Sequence, residues 1–215
     1  MKKNLTDKLR IYLVTDRKKT KYPLVKVIKE ALKGGVKAVQ LREKDLSSKE
    51  MYELAKEIKT ITEKKNALLI INDRIDIALA ADADGVHLGW QSMPIKESRG
   101  ILGKKKLIGV STHSLNEAVL AQKNGADFIT FGTIYPTSSK QGLTDFKGPE
   151  AIKKIRKKIK IPLIAIGGIK EDNIKNVISN GADGVAVISA IMGAKKPCEA
   201  AKGLICKLES FNVKT

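Results

Sequence analysis

An alternation dominates this sequence and limits what the chain can become. Short runs rich in Val, Ile and Leu give way to amphipathic helical patterns with a repeat of about 25 residues, the mark of successive βαβ units rather than of separate all-α or all-β domains. Eight runs of strand character stand at 11–15, 38–42, 68–72, 85–88, 107–111, 128–132, 163–167 and 184–189. Several are almost uninterrupted aliphatic stretches, as expected of parallel strands covered on both faces. Between them, stretches such as 24–33, 49–64 and 115–123 place apolar residues at helical spacing and leave charges for the outside. Ser114 and Glu117 read as a capping box opening the helix at 115. Gly34-Gly35, Gly125-Ala126-Asp127 and Gly181-Ala182-Asp183 each separate a helix from the next strand, where glycine supplies the left-handed turn that ends a helix. Eight units in 215 residues leave room only for short loops, which predicts an α/β fold, a single (β/α)8 TIM barrel spanning residues 1–215 as one domain. An open doubly wound sheet is the competitor, but no G-x-G-x-x-G follows the first strand.

With 42% apolar residues the chain can bury one substantial core, and two full domains would be cramped. Residues 1–10 are lysine-rich and the apolar stretch after them covers only 11–14, so no signal peptide is expected. Nothing approaches the ~20 apolar residues that cross a bilayer. The expectation is a soluble, cytoplasmic protein with no membrane partner. Cys198 and Cys206 fall on one helical stretch, roughly 12 Å apart along its axis at ~1.5 Å per residue, which excludes a bridge while the helix persists. With no second pair or histidine cluster beside them, they read as packing residues rather than a zinc site or a thiol nucleophile. The formal charge of +18 raises the question of nucleic acid, and its distribution answers it. Lysines are spread over nearly every helical segment, aromatics make up 4% of the chain, and no basic stretch is interleaved with them as a stacking surface requires. A solvated lysine-rich shell that steers anionic metabolites is the reading, with no nucleic-acid partner. A homo-oligomer is compatible with the sequence, which does not fix the assembly state.

Polar residues collect where the strands end, the rim on which barrels of this kind build their sites. After the second strand, the period of two puts Gln40, Arg42 and Lys44 on one face, a fork and a point charge suited to phosphate oxygens. An ordinary salt bridge to Glu43 or Asp45 is the alternative use of those cations. The third strand ends in Asn72-Asp73-Arg74, where Asp73 suits a Mg²⁺ ligand or, equally, a cap for the next helix. The fifth ends in Ser111-Thr112-His113-Ser114, and His113 can serve as a general acid or base. His87, inside the fourth strand, reads as a satisfied inward-facing residue. The longest loop, 133–148, carries Pro136-Thr137-Ser138-Ser139-Lys140 with Gly142 behind it, hydroxyls and a lysine that can close over a phosphate; an ordinary surface loop is the alternative. Gly167-Gly168 and Ile188-Ser189 end the seventh and eighth strands, where barrels usually offer backbone amides to phosphate.

Taken together, VQLREKD at 39–45, INDR at 71–74, ADGVHLG at 83–89, GVSTHS at 109–114, PTSSK at 136–140, AIGGI at 165–169 and VAVISAI at 185–191 resemble the thiamine-phosphate synthase family and its close relative, the thiazole tautomerase. The resemblance covers nearly the whole chain. It implies a transferase of thiamine biosynthesis that joins hydroxymethylpyrimidine diphosphate to thiazole phosphate, giving thiamine phosphate and pyrophosphate. On that likeness Gln40, Arg42, Lys44 and Asn72 hold the pyrimidine diphosphate, and Asp73 is a ligand of the cofactor Mg²⁺. Ser111, Thr137, Ser139 and Lys140 hold pyrophosphate, with Lys140 and Ser111 as the catalytic candidates. Gly168, Ile188 and Ser189 place the thiazole phosphate. The partners implied are small-molecule phosphate esters.

One position departs from the synthase pattern. Where that pattern has Gly-Gln-x-Asp, with the Asp as a second metal ligand, this chain reads Gly89-Trp90-Gln91-Ser92. A neutral hydroxyl at Ser92 leaves the metal to Asp73, water and the diphosphate, which implies weaker binding. HLGWQSMP followed by STHS resembles tautomerase-like members instead. In that alternative a proton moves within the thiazole carboxylate phosphate, His113 is the acid-base residue and no metal is needed. Gln40, Lys44, Asp73 and Lys140, for which that reaction has less use, favour the synthase. A non-catalytic barrel that binds a thiamine precursor or regulates a partner is the third reading.

Overall fold

The computed structural model describes residues 2–137 and 145–212. Eight parallel strands, β1 (Ile11–Val14), β2 (Ala38–Leu41), β3 (Leu68–Asn72), β4 (Gly85–Leu88), β5 (Leu107–Thr112), β6 (Phe128–Phe131), β7 (Leu163–Ile166) and β8 (Gly184–Val187), close into a barrel in sequence order. Closure is made by β1, which pairs with β2 on one side and β8 on the other. Helix α1 (Lys2–Lys8) precedes the barrel. Helices α2 (Leu24–Lys33), α3 (Ser48–Lys64), α4 (Ile75–Ala80), α5 (Ile95–Leu102), α6 (Leu115–Lys123), α7 (Glu150–Arg156) and α8 (Ile174–Ser179) follow the first seven strands, and the short α9 (Ser189–Met192) and long α10 (Pro197–Asn212) follow β8. Among the described residues no helix is long and apolar enough to cross a membrane. Cys198 and Cys206 both lie on α10 as free thiols, and Cys206 is exposed, so only Cys198 contributes to packing.

Strand alternation divides the core in two. Ile11, Leu13, Val39, Leu41, Leu69, Ile71, Val86 and Leu88 point outward and pack under the helices. Tyr12, Val14, Ala38, Leu68, Ile70, Phe128, Ile164 and Ala186 point inward and fill the barrel, and Leu9, just after α1, joins them. Leu5 of α1 packs against the same cluster, so the N-terminal segment plugs the end of the barrel away from the rim.

A repeated clasp fixes that lower end. Asp84, Asp127 and Asp183, each just before an even-numbered strand, accept the backbone N–H of Leu69, Ile108 and Leu163 on the preceding strand at 2.8, 2.7 and 2.7 Å. Each is also paired with a cation from the helix before that strand: Lys59 at 3.2 Å, Arg99 at 2.5 Å and Arg156 at 2.6 Å. The left-handed turns expected at glycine occur at Gly35, Gly125 and Gly181, and Asn66 and Asp82 make the corresponding turns after α3 and α4.

Two expectations need correction. Ser114 caps α6 by accepting the Glu117 N–H at 3.2 Å, but the Glu117 carboxylate takes the His113 N–H at 2.8 Å instead of returning to the Ser114 amide. The reciprocal box is found at Ser47 and Glu50, at the start of α3. At the rim several strands end one or two residues early, because the chain leaves extended geometry there. Gly167 has φ +107°, and Ile188 has φ −113° and ψ −84°.

Candidate active site

Toward the C-terminal rim the inward-facing positions turn from apolar to polar. Gln40 on β2, Asn72 on β3, His87 on β4, Ser111 on β5 and Thr130 on β6 all line one cavity of about 660 Å³. At its floor the buried Gln40 donates from Nε2 to the Tyr12 hydroxyl at 2.9 Å, which fixes the orientation of the amide. Burial pushes the Tyr12 phenol upward, so it stays protonated. His87 sits 5.9 Å from Tyr12 and 5.7 Å from Phe128, ring to ring. Burial, assisted by the Arg42 charge, pushes the His87 imidazole down from 6.5 to about 3, so it is neutral at physiological pH. Its Nε2 lies 3.0 Å from Ser111 Oγ and 3.2 Å from Thr130 Oγ1, whereas Nδ1 is buried without a partner among the described residues. The sequence reading of His87 as a satisfied inward residue is therefore right about direction and wrong about one of the two nitrogens.

The two uses open to Arg42 and Lys44 are separated by Arg17. The nearly fully buried Glu43 carboxylate accepts the Arg17 backbone N–H at 3.1 and 3.2 Å and its guanidinium at 3.1 Å. Asp45 receives the same guanidinium at 2.6 Å and Lys18 at 2.8 Å, and hydrogen bonds from these cations hold its carboxyl well below the usual range. Both carboxylates are thus engaged from the β1 side. Among the described residues neither Arg42 nor Lys44 has a carboxylate partner, and both line the cavity. β2 ends at Leu41, so residues 42–45 lie beyond the strand, and it is the contact with Arg17 that sets the two carboxylates apart from the two cations.

Asp73 has φ +65°, a left-handed conformation that costs a side-chain-bearing residue energy and that Asp tolerates better than most. Its N–H donates to the His87 carbonyl at 2.9 Å. It does not cap α4: Arg74 occupies that position without a side-chain cap bond, and the Arg74 guanidinium is taken up by Asp76 and Ser48. Among the described residues Asp73 is the only carboxylate lining the cavity.

The remaining nominated residues reach the same chamber. Ser92 lines it, with Oγ accepting the Gly89 N–H at 2.7 Å to close the turn after β4. His113 stands at the rim with Nδ1 3.2 Å from Glu117. Thr137, Gly168, Ile188 and Ser189 also line the wall. A Cβ at Gly167 would stand 2.4 Å from Thr133 Cγ2, and one at Gly168 2.4 Å from the Pro136 carbonyl oxygen, so only glycine lets the β6 loop lie against the β7 turn. Ser139 and Lys140 lie outside the described residues, as do Ser138 and Gly142 of the same loop. Residues not nominated from sequence also appear: Thr130, Thr133, Gln91 and Lys170. The signal for Thr130 was available, a hydroxyl two residues after the inward-facing Phe128 in an otherwise apolar strand. For Lys170 it was only its place directly after AIGGI.

The chain is similar to known proteins over most of its length. A protein-family model described as thiamine monophosphate synthase matches residues 11–191. A thiamine-phosphate synthase of Clostridium acetobutylicum is 52% identical over 188 residues, covering 87% of this chain and 89% of the relative. One from Methanobrevibacter smithii is 46% identical over 204 residues, covering 95% of this chain and 97% of the relative. The solved structure of a thiamine phosphate pyrophosphorylase from Pyrococcus furiosus superimposes with a TM-score of 0.90 at 42% identity, covering 97% of this chain and 99% of the other.

Proposed function

The chain belongs to the thiamine monophosphate synthase family, and from that membership we propose that it is a thiamine-phosphate synthase, a transferase joining 4-amino-2-methyl-5-hydroxymethylpyrimidine diphosphate to thiazole phosphate. The observation that carries the proposal is the pair Arg42 and Lys44, without a carboxylate partner among the described residues, on a cavity whose wall also includes the glycine turn at 167–168 and the β8 end at Ile188-Ser189. Two anion-binding regions thus share one chamber, as a reaction between a diphosphate and a phosphate requires.

In this reading Gln40 and Asn72 orient the pyrimidine, and Arg42 and Lys44 hold its diphosphate. Gly168, Ile188 and Ser189 place the thiazole phosphate so that its ring nitrogen faces the pyrimidine methylene. The bond between that methylene carbon and the diphosphate oxygen breaks, its electron pair departs with pyrophosphate, and the thiazole nitrogen forms the new C–N bond. Charge on the departing oxygen is met by Lys44, Ser111 and Thr137, with Ser139 and Lys140 assigned the same task by family likeness. Among the described residues no cluster of three or more His, Cys, Asp or Glu is present, so a metal here would complete its shell with water and substrate oxygens. The Asp73 carboxylate, a hard oxygen donor, fits Mg²⁺ on those terms, and Ser92 would contribute at most a neutral oxygen. Bound Mg²⁺ supplies neutralisation of the diphosphate charge. A cytoplasmic location belongs to the same proposal.

The test is formation of thiamine phosphate by purified protein given both substrates and Mg²⁺, with Lys44→Ala and Lys140→Ala as controls. Metal-dependent turnover lost in the controls is the expected result. No product at enzyme levels where a known synthase completes the reaction would overturn the proposal and leave proton exchange on the thiazole carboxylate, with His113→Ala as control, as the next measurement.

A further inference from the structure

His87 is buried beneath the leaving-group region and takes no part in the steps above. Its two nitrogens have different surroundings. Nε2 looks toward the cavity side and meets two hydroxyls, Ser111 Oγ at 3.0 Å and Thr130 Oγ1 at 3.2 Å. Among the described residues Nδ1 has no partner, and it is turned toward β5, where an added Cβ on Gly109 would stand only 2.7 Å from it. A proton on Nδ1 would bury a donor with no acceptor, which is the costlier way to leave a nitrogen unsatisfied; a bare lone pair there costs less. The proton therefore belongs on Nε2, and Ser111 Oγ, at 3.0 Å the nearer of the two hydroxyls, is its main acceptor, with Thr130 Oγ1 at 3.2 Å the weaker one. A hydroxyl that accepts from below still has its own proton to donate, and the open direction is the cavity, which Ser111 lines.

We propose that His87 is a positioning residue: its Nε2–H donates to Ser111 Oγ and so commits the Ser111 proton to the oxygen of the departing pyrophosphate. The inference rests on the synthase reading of the cavity. The chemical role is preorganisation, because a hydroxyl already turned as a donor needs no reorientation when charge develops on the leaving oxygen. The imidazole stays neutral throughout, and no proton is transferred from it.

Two measurements test this. The first is the ¹⁵N spectrum of the imidazoles in the resting protein, which has two histidines, with His87→Gln assigning the signals by loss. Protonated Nε2 and bare Nδ1 are expected; protonated Nδ1 overturns the proposal whether or not the protein turns over, and this arm stands if the variants fold poorly. The second is kinetic. His87→Met, of similar size with no donor, should lower kcat about 10- to 100-fold and leave KM within about threefold, and His87→Gln, which returns an amide N–H near the place of Nε2, should recover most of the loss. Ser111→Ala and Ser111→Ala/His87→Met should have the same kcat, because both remove one interaction. A folded His87→Met within about twofold of the parent kcat, or losses that multiply in the double variant, overturns the pairing. Absence of turnover in the parent, by contrast, sinks the synthase reading itself.

Discussion

At position 92 a hydroxyl stands where the synthase pattern has a carboxylate, and it is already accepting the Gly89 N–H at 2.7 Å. Asp in its place can accept the same bond and add a negative charge beside Asp73, so Ser92→Asp should lower the Mg²⁺ concentration for half-maximal activity by about tenfold or more. Titration of activity and direct calorimetric Mg²⁺ binding would both read this, and an unchanged affinity would show that residue 92 does not reach the metal. His87 carries a second prediction at this scale. Its folded pKa is lowered from 6.5 to about 3, so between those values the unfolded chain binds a proton that the folded chain refuses. Its contribution to stability is complete above about pH 6.5 and is lost as pH falls toward 3, by at most ~1.4 kcal/mol per pH unit. Urea midpoints measured from pH 7 to pH 5 should fall more steeply in the parent than in His87→Gln. Parallel curves would mean that His87 takes up its proton as readily in the folded as in the unfolded chain.

Between elements, the clasp at Asp127 joins three pieces of chain. Its carboxylate accepts the Ile108 N–H, and Arg99, while bound to it, also donates to the carbonyls of Gly103 and Lys106 at 3.0 and 2.6 Å. Asp127→Ala leaves the Ile108 N–H and the Arg99 charge without their partner and should cost about 1–3 kcal/mol, with Asp127→Asn costing less because its oxygen can still accept the N–H. The check is urea unfolding, with kcat essentially unchanged because the clasp lies at the end of the barrel away from the rim. The sequence showed this turn only in part. Gly125-Ala126-Asp127 announces the end of a helix, but the role of Asp127 depends on Arg99, 28 residues away, and Ile108, 19 residues away. Local pattern cannot supply such pairings, and it likewise missed the left-handed turns at Asn66 and Asp82, where no glycine signals them. The capping pair at 114 and 117 was legible as a cap but not in its return bond, because the His113 amide competes for the same carboxylate.

For the molecule as a whole, the barrel was readable because short aliphatic runs and amphipathic helical stretches alternate through eight repeats, and the rim because strand ends carry the polar residues. Which cations at that rim lack a carboxylate partner among the described residues was not readable: Arg42 and Lys44 are released by Arg17, whose engagement of Glu43 and Asp45 is a contact between separate strand ends. The same distinction separates local from global electrostatics. A formal charge of +18 spread over the outer helices sets a broad positive field, while Arg42, Lys44 and Lys170 face a single described carboxylate inside the cavity. Both proposed substrates are anions, so the field should raise their encounter and binding without altering the bond-breaking step. Raising ionic strength from about 0.02 M to about 0.3 M should lower kcat/KM several-fold and leave kcat nearly constant, since charges farther apart than a Debye length are screened. Neutralising one exposed outer lysine, as in Lys153→Gln, should change kcat/KM less than about twofold because it is one of many contributors to that field. Lys44→Gln should reduce turnover at every ionic strength, because it removes a group that contacts the diphosphate rather than a distant share of the potential. If Lys153→Gln matched Lys44→Gln, or if kcat fell with salt as steeply as kcat/KM, the anionic groups would be engaged outside the barrel rim and the cavity assignment would fail.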